Sequence, residues 1–252
     1  MGMIRYCIYR LTLIITFFAF TVAGAEPIDI NSFSSTLLSD VNATFTKPAN
    51  LAALLLAGGA SVAMHNTDAD KNINENLHRR AFNDTTDKIF DIAGNPFSHL
   101  GVTGLWYLAS QSNNDELNCQ RAESLLSALI LTDAVTLGLK VIRNNETPNG
   151  KDFAWPSGHT ASSFCVASVL DEYYGPQVGI PAYLGAAMVG WRMMDSGDHW
   201  ASDVLFGATL GYVVGHSVAA NHKPLQLAGF KVEPMIAAGP NPVTGIVFVK
   251  RF

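Results

Sequence analysis

From Leu51 onward the chain runs through apolar stretches rich in Ala, Leu and Gly, separated by short breakers. Six stretches stand out: Leu51–Met64, Phe97–Ser110, Ser124–Leu139, Thr160–Leu170, Val178–Met194 and Val204–Ala220. None alternates polar and apolar positions with period two, so each predicts a helix. Gly94-Asn95-Pro96, Asn144–Gly150, Gly175-Pro176 and Ser196-Gly197 mark the breaks between them. The expected fold class is all-α, a bundle of about six core helices over residues 48–222. Residues 26–47 mix Ser, Asn, Asp and Pro and are expected to form an irregular N-terminal arm. Within residues 223–252, Phe230–Ala238 and Thr244–Phe252 flank Gly239-Pro240-Asn241-Pro242 and predict a short C-terminal β-hairpin.

Residues 1–25 have a different character. Arg5 and Arg10 precede an apolar run, Leu11–Val22, which ends at Ala23-Gly24-Ala25. A basic start, a short apolar core and small residues predict a secretory signal cut before Glu26. The alternative is an uncleaved anchor. Most of the six later stretches fall short of about 18 consecutive apolar residues, and Asp133, His99 and His216 interrupt three of them. A bundle that is water-soluble or attached to a membrane surface, exported to the periplasm or beyond, is therefore expected. An integral membrane protein is the alternative.

Composition narrows the function classes. The net charge of -5 offers no basic stripe for a nucleic acid. Of three cysteines, Cys7 lies in the expected signal, and Cys119 and Cys165 are left either to pair or to stay free. No CxxC or CxxH spacing points to a thiolate metal site, so neither metal nor cofactor is expected.

Candidate chemistry gathers at the helix ends. Lys140 closes the third apolar stretch, Pro156-Ser157-Gly158-His159 opens the fourth, Arg192 closes the fifth, and His199-Trp200-Ala201-Ser202-Asp203 opens the sixth. A helix start preceded by Ser-Gly presents N–H donors and a favourable dipole to an anion. Lys140 and Arg192 bring positive charge, the latter with a fork that matches phosphate. Asp203 lies four residues after His199, on the same helical face, where it can fix the tautomer of a nucleophilic imidazole. His159 has no such neighbour and suits a general acid. Capping or surface roles are the plain alternative for all these groups.

Pro156-Ser157-Gly158-His159-Thr160-Ala161, followed some forty residues on by His199-x3-Asp203, resembles two signature blocks of the type 2 phosphatidic acid phosphatase and haloperoxidase superfamily. The resemblance covers roughly Pro48 to Ala220 and implies a helical bundle carrying a metal-independent phosphatase. It implies His199 as the nucleophile of a phosphohistidine, oriented by Asp203, and His159 as the acid for the leaving group. Lys140, Ser157, Gly158 and Arg192 would hold the phosphate of a phosphomonoester or pyrophosphate, with a lipid-linked substrate as the expected partner. Two departures from the pattern are visible. Thr147 stands where the family's first block has arginine, and Arg143, one turn beyond Lys140, is the candidate replacement. Arg192 and His199 are separated by six residues rather than five, a difference the Asp195-Ser196-Gly197-Asp198 loop can absorb. The same pocket leaves two alternatives: binding of phosphate or an amphiphile without turnover, and vanadate-dependent halide oxidation. His65, His78, His99, His216 and His222 show no metal-site spacing; of these His65, near Asp68 and Asp70, stands closest to other polar groups.

Overall fold

A computed structural model describes residues 30–78, 80–223, 226–227, 230–237 and 243–249. The expected signal segment lies outside them. The chain divides at Leu38 into two compact units, and all candidate site residues belong to the second, Ser39–Phe252.

Nine helices form among the described residues: α1 (Ile30–Phe45), α2 (Pro48–Asn66), α3 (Ala69–Leu77), α4 (Asp84–Gly94), α5 (Pro96–Ser112), α6 (Glu116–Arg143), α7 (Gly158–Tyr174), α8 (Pro176–Asp195) and α9 (Ala201–His222). Each of the six apolar stretches lies inside one of them. Their starts follow local chemistry. Pro occupies the first turn of α2, α5 and α8, and the Asn83, Asn95, Asp115 and Ser157 side chains accept N–H bonds at the starts of α4, α5, α6 and α7. Asn144 in the left-handed region ends α6. After the helices, β1 (Gln226–Leu227), β2 (Phe230–Ala237) and β3 (Val243–Val249) pair antiparallel in the order β1-β2-β3, with Lys231 opposite Val249 and Ala237 opposite Val243. Residues 238–242 between the last two lie outside the described set.

Two expectations are corrected. Residues 26–47 are not irregular, because α1 occupies most of the segment. Its inward stripe includes the buried Asp40 and Thr44, so an apolar period was not available to announce it. Helices α3 and α4 were likewise hidden by their polar sequences, ADKNINENL and DTTDKIFDIAG. The preference for a soluble bundle is the second correction. Helices α2, α6 and α9 are each long and apolar enough to cross a membrane, with window hydropathies of 1.2, 1.9 and 1.2. Counting only uninterrupted apolar runs hid this, since Asp133 breaks the run in α6 without making its window polar. Leu55 and Leu56 on α2 are 74% and 75% exposed, and Ile142 on α6 is 82% exposed, an outward apolar surface that water does not favour.

The core lies along α7 and α9, whose contact is the most extensive between described helices. Leu210, Val214 and Val218 of α9 and Val169 of α7 are fully buried. Gly207 and Gly211 make this approach possible: a Cβ on Gly207 would lie 2.6 Å from the Ser157 carbonyl oxygen, and one on Gly211 would collide with that of Ala161. Cys119 and Cys165 are free thiols.

Candidate functional site

The seam between α7 and α9 fixes the two histidine-bearing segments against each other. The Ser157 N–H donates to the Asp203 carbonyl oxygen at 3.1 Å, joining the start of α7 to the first turn of α9. The start of α9 is held from a second side. Asp70, in the first turn of α3, accepts from the Ser202 N–H at 2.9 Å and the Ser202 hydroxyl at 2.6 Å, with His65 3.4 Å away. His65 thus belongs to the support of the site rather than to a metal set.

His199 is buried, and its Nδ1 lies 3.4 Å from Asp203 Oδ2, an ion-pair contact without hydrogen-bond alignment. The same Asp203 oxygen accepts the Trp200 N–H at 2.9 Å. Burial, together with the positive charge of Lys140, holds the His199 pKa below its ordinary value, while Asp203 pulls the other way. A neutral imidazole with Nδ1 toward a carboxylate leaves Nε2 as the free lone pair.

Ser157 is fully buried and caps α7, its Oγ lying 3.0 Å from Thr160 Oγ1 and 3.4 Å from Thr160 N. Its hydroxyl is therefore engaged within the helix cap. The first intrahelical bond is from Ala161 N to Ser157 O, so the N–H groups of Gly158 and His159 precede the ladder and point out of the helix end. Lys140 lies beside this end, with its Cε 4.0 Å from where a Gly158 Cβ would be. Its ammonium donates to the Phe153 and Ala154 carbonyls, which fixes the Phe153-Ala154-Trp155 loop and leaves one N–H for another acceptor.

Arg192 sits at the end of α8, 8% exposed, within reach of three carboxylates. Nε and Nη2 bind the two Asp87 oxygens at 2.7 and 2.8 Å, and Nη1 lies 3.2 Å from Asp91 Oδ1 and 3.0 Å from Asp198 Oδ2. Asp91 Oδ1 is also 3.3 Å from His159 Nε2. The His159 contact holds the Asp91 pKa below the usual carboxylate range. The extra residue between Arg192 and His199 is absorbed by the Ser196-Gly197 turn, where Gly197 has φ of +73° and His199 N returns to Met193 O at 3.0 Å. Asp198 points to Arg192, Lys151, Asn149 and Ser196. Although burial favours its neutral form, the bonds from Lys151, Ser196 and Asn149 bring its pKa down to about 2.

Thr147 is buried and works as a turn former. Its Oγ1 accepts the Lys151 N–H at 2.9 Å and donates to Asn149 Oδ1 at 2.6 Å. Arg143 does not take the arginine's place, because its guanidinium lies over the Trp155 ring at 5.2 Å. That is a correction. The cation beside Asp198 is Lys151, at 2.8 Å, which the sequence reading passed over.

Lys140, the start of α7 with His159, Arg192 and the His199–Asp203 pair are thus linked through shared contacts at one end of the bundle. The arrangement offers an imidazole lone pair, a second imidazole, cations and outward N–H donors. Sequence reasoning missed Asp70, Asp87, Asp91 and Lys151. Asp87-x3-Asp91 repeats the four-residue spacing on which His199–Asp203 was read, and so carried the one usable signal. Among the described residues, no group of three or more His, Cys, Asp and Glu side chains is placed to hold a metal ion.

A profile of the PAP2 superfamily matches residues 121–225, which contain Lys140 and both histidine blocks. Over 65 residues, 25% of this chain, the sequence is 40% identical to the lipid A 1-phosphatase of Porphyromonas gingivalis, and the match spans 15% of that protein's length. Aquifex aeolicus LpxE aligns with a TM-score of 0.47 and 20% identity, over 59% of this chain and 90% of that one. The first transmembrane PAP2 type phosphatidylglycerolphosphate phosphatase from Bacillus subtilis aligns with a TM-score of 0.45 and 20% identity, over 68% and 94%.

Proposed function

This chain carries a PAP2-superfamily domain, and from that premise we propose that it is a metal-independent phosphatase, embedded in a membrane and acting on a lipid-linked phosphomonoester or pyrophosphate. The observation that carries the reading is the His199–Asp203 pair fixed, through Ser157 N and Asp203 O, beside the outward N–H groups of α7 and the Lys140 ammonium. His199 Nε2 attacks phosphorus and forms a phosphohistidine, while His159 gives its proton to the departing oxygen. Water then enters, His159 takes its proton, and phosphate leaves as His199 is regenerated. Lys140, Arg192 and the N–H groups of Gly158 and His159 balance charge on the transferring group. The lipid preference draws support from the matched stretch of lipid A 1-phosphatase, and the membrane from the three span-length helices.

The test is phosphate release by the full chain with chelator present, on an aryl phosphate, a phosphatidic acid and a polyprenyl pyrophosphate, beside His199→Ala. Release that withstands chelation, is lost in the variant and is greatest on a lipid supports the reading. Equal release by the variant rejects His199 as nucleophile, and no release from any substrate rejects the enzyme.

A further inference from the structure

The most committed residue at the site is the one expected to bind phosphate. Four polar contacts run from Arg192 to Asp87, Asp91 and Asp198, out of five N–H donors on a guanidinium. The two Asp87 oxygens take the Nε/Nη2 fork in the geometry used for two phosphate oxygens. One atom, Asp91 Oδ1, lies 3.2 Å from Arg192 Nη1 and 3.3 Å from His159 Nε2. A leaving oxygen needs that same pair of neighbours, a cation and the acid. Both carboxylates come from α4, a short helix with exposed Ile89 and Ile92. Charge points the same way. Lys140, Lys151 and Arg192 face Asp87, Asp91, Asp198 and Asp203, an environment that repels a phosphate dianion until some carboxylates withdraw.

We propose that Asp87 and Asp91 are specificity-determining residues: they occupy the phosphate subsite as an internal anion, which substrate phosphate must displace from Arg192 and His159. The proposal rests on the reading of this site as a phosphate site. A small soluble phosphate has only its own oxygens with which to compete against two tethered carboxylates. A phosphate on a lipid is concentrated at the membrane, and its chains add apolar contact, so it displaces them more readily. The helix thus favours anchored substrates over soluble phosphate and reduces inhibition by free product. Asp87 and Asp91 are 36% and 44% exposed at their side chains, so they can turn into water once released.

The experiment measures orthophosphate binding to the full chain in detergent by calorimetry, for wild type, Asp87→Asn/Asp91→Asn and Arg192→Ala. The proposal expects the double variant to bind at least about tenfold more tightly, and Arg192→Ala to lose binding. Wild type with saturating phosphate should show faster amide exchange across residues 84–94, which needs no variant and stands if the double variant fails to fold. Turnover adds a ratio: aryl-phosphate hydrolysis should gain on lipid-phosphate hydrolysis in the double variant. Unchanged or weaker phosphate binding by a folded double variant, full binding by Arg192→Ala, or unmoved exchange in α4 would each overturn the proposal. Binding is read without turnover. A chain that never releases phosphate but shows tighter binding in the double variant loses the enzymatic reading and keeps this one.

Discussion

The two sides of the site are built differently. On one side, α7 and α9 meet at van der Waals distance, and Gly207 and Gly211 leave no room for a side chain between them. His159, Ser157, His199 and Asp203 all descend from that seam or its ends. On the other side, α3 and α4 are polar and short, and they reach the site through side chains alone: Asp70 to Ser202, Asp87 and Asp91 to Arg192. The seam side fixes backbone positions, whereas the α4 side supplies exposed groups that can exchange partners. A phosphoryl-transfer site needs both, a rigid frame for the reacting atoms and a cover that yields to the ligand.

Changes on the seam side should act on chemistry. His199→Ala is expected to lower phosphate release by at least about 10³-fold with little change in melting temperature; a surviving rate would move the nucleophile elsewhere. His159→Ala should cost about 10² to 10⁴ on a lipid phosphate and distinctly less on an aryl phosphate, whose leaving group needs no proton. Equal losses on the two substrates would deny His159 the acid's role. Gly211→Val drives a side chain into the Ala161 carbonyl and should destabilise by about 1–3 kcal/mol, read as a lower melting temperature together with a lower rate.

Protonation sharpens the comparison further. Because burial and Lys140 hold His199 below its ordinary pKa of about 6.5, the neutral nucleophile persists into mildly acid solution. The acid limb of kcat/KM should therefore fall below that value, with activity lost as pH drops through the lowered pKa. Asp203 pulls the pKa upward, so Asp203→Asn should move the limb to still lower pH while reducing kcat. A limb above pH 6.5, or one that rises in the variant, contradicts this assignment. The smallest effect is expected from Arg143→Ala. Loss of the contact over Trp155 should cost at most about 1 kcal/mol of stability, far less in activity than Lys140→Ala.

Much of the seam side was legible in the sequence. The apolar stretches located α2 and α5 to α9, and Pro156-Ser157-Gly158-His159 with His199-x3-Asp203 located the reacting groups. The reason is physical, since apolar periodicity marks helices that pack, and a helix start that binds an anion needs particular residues. The α3–α4 side was not legible, because a helix held by carboxylates leaves no apolar stripe and its sequence looks like a loop. Arg143 was misplaced for a similar reason. Chain distance put it near Lys140, whereas the ring of Trp155 decided where its charge went. Membrane-spanning length was missed because a single aspartate was allowed to interrupt a helix whose average remains apolar.

The cap at the start of α7 bears on how this site would look to genetics. Ser157 spends its hydroxyl on Thr160, so the anion donors there are main-chain amides. Exchanging one side chain for another does not remove an amide proton, proline excepted. A systematic alanine survey would thus rank the histidines and cations and pass silently over these donors. Detecting them requires editing the backbone itself, for instance by replacing one amide with an ester through chemical synthesis.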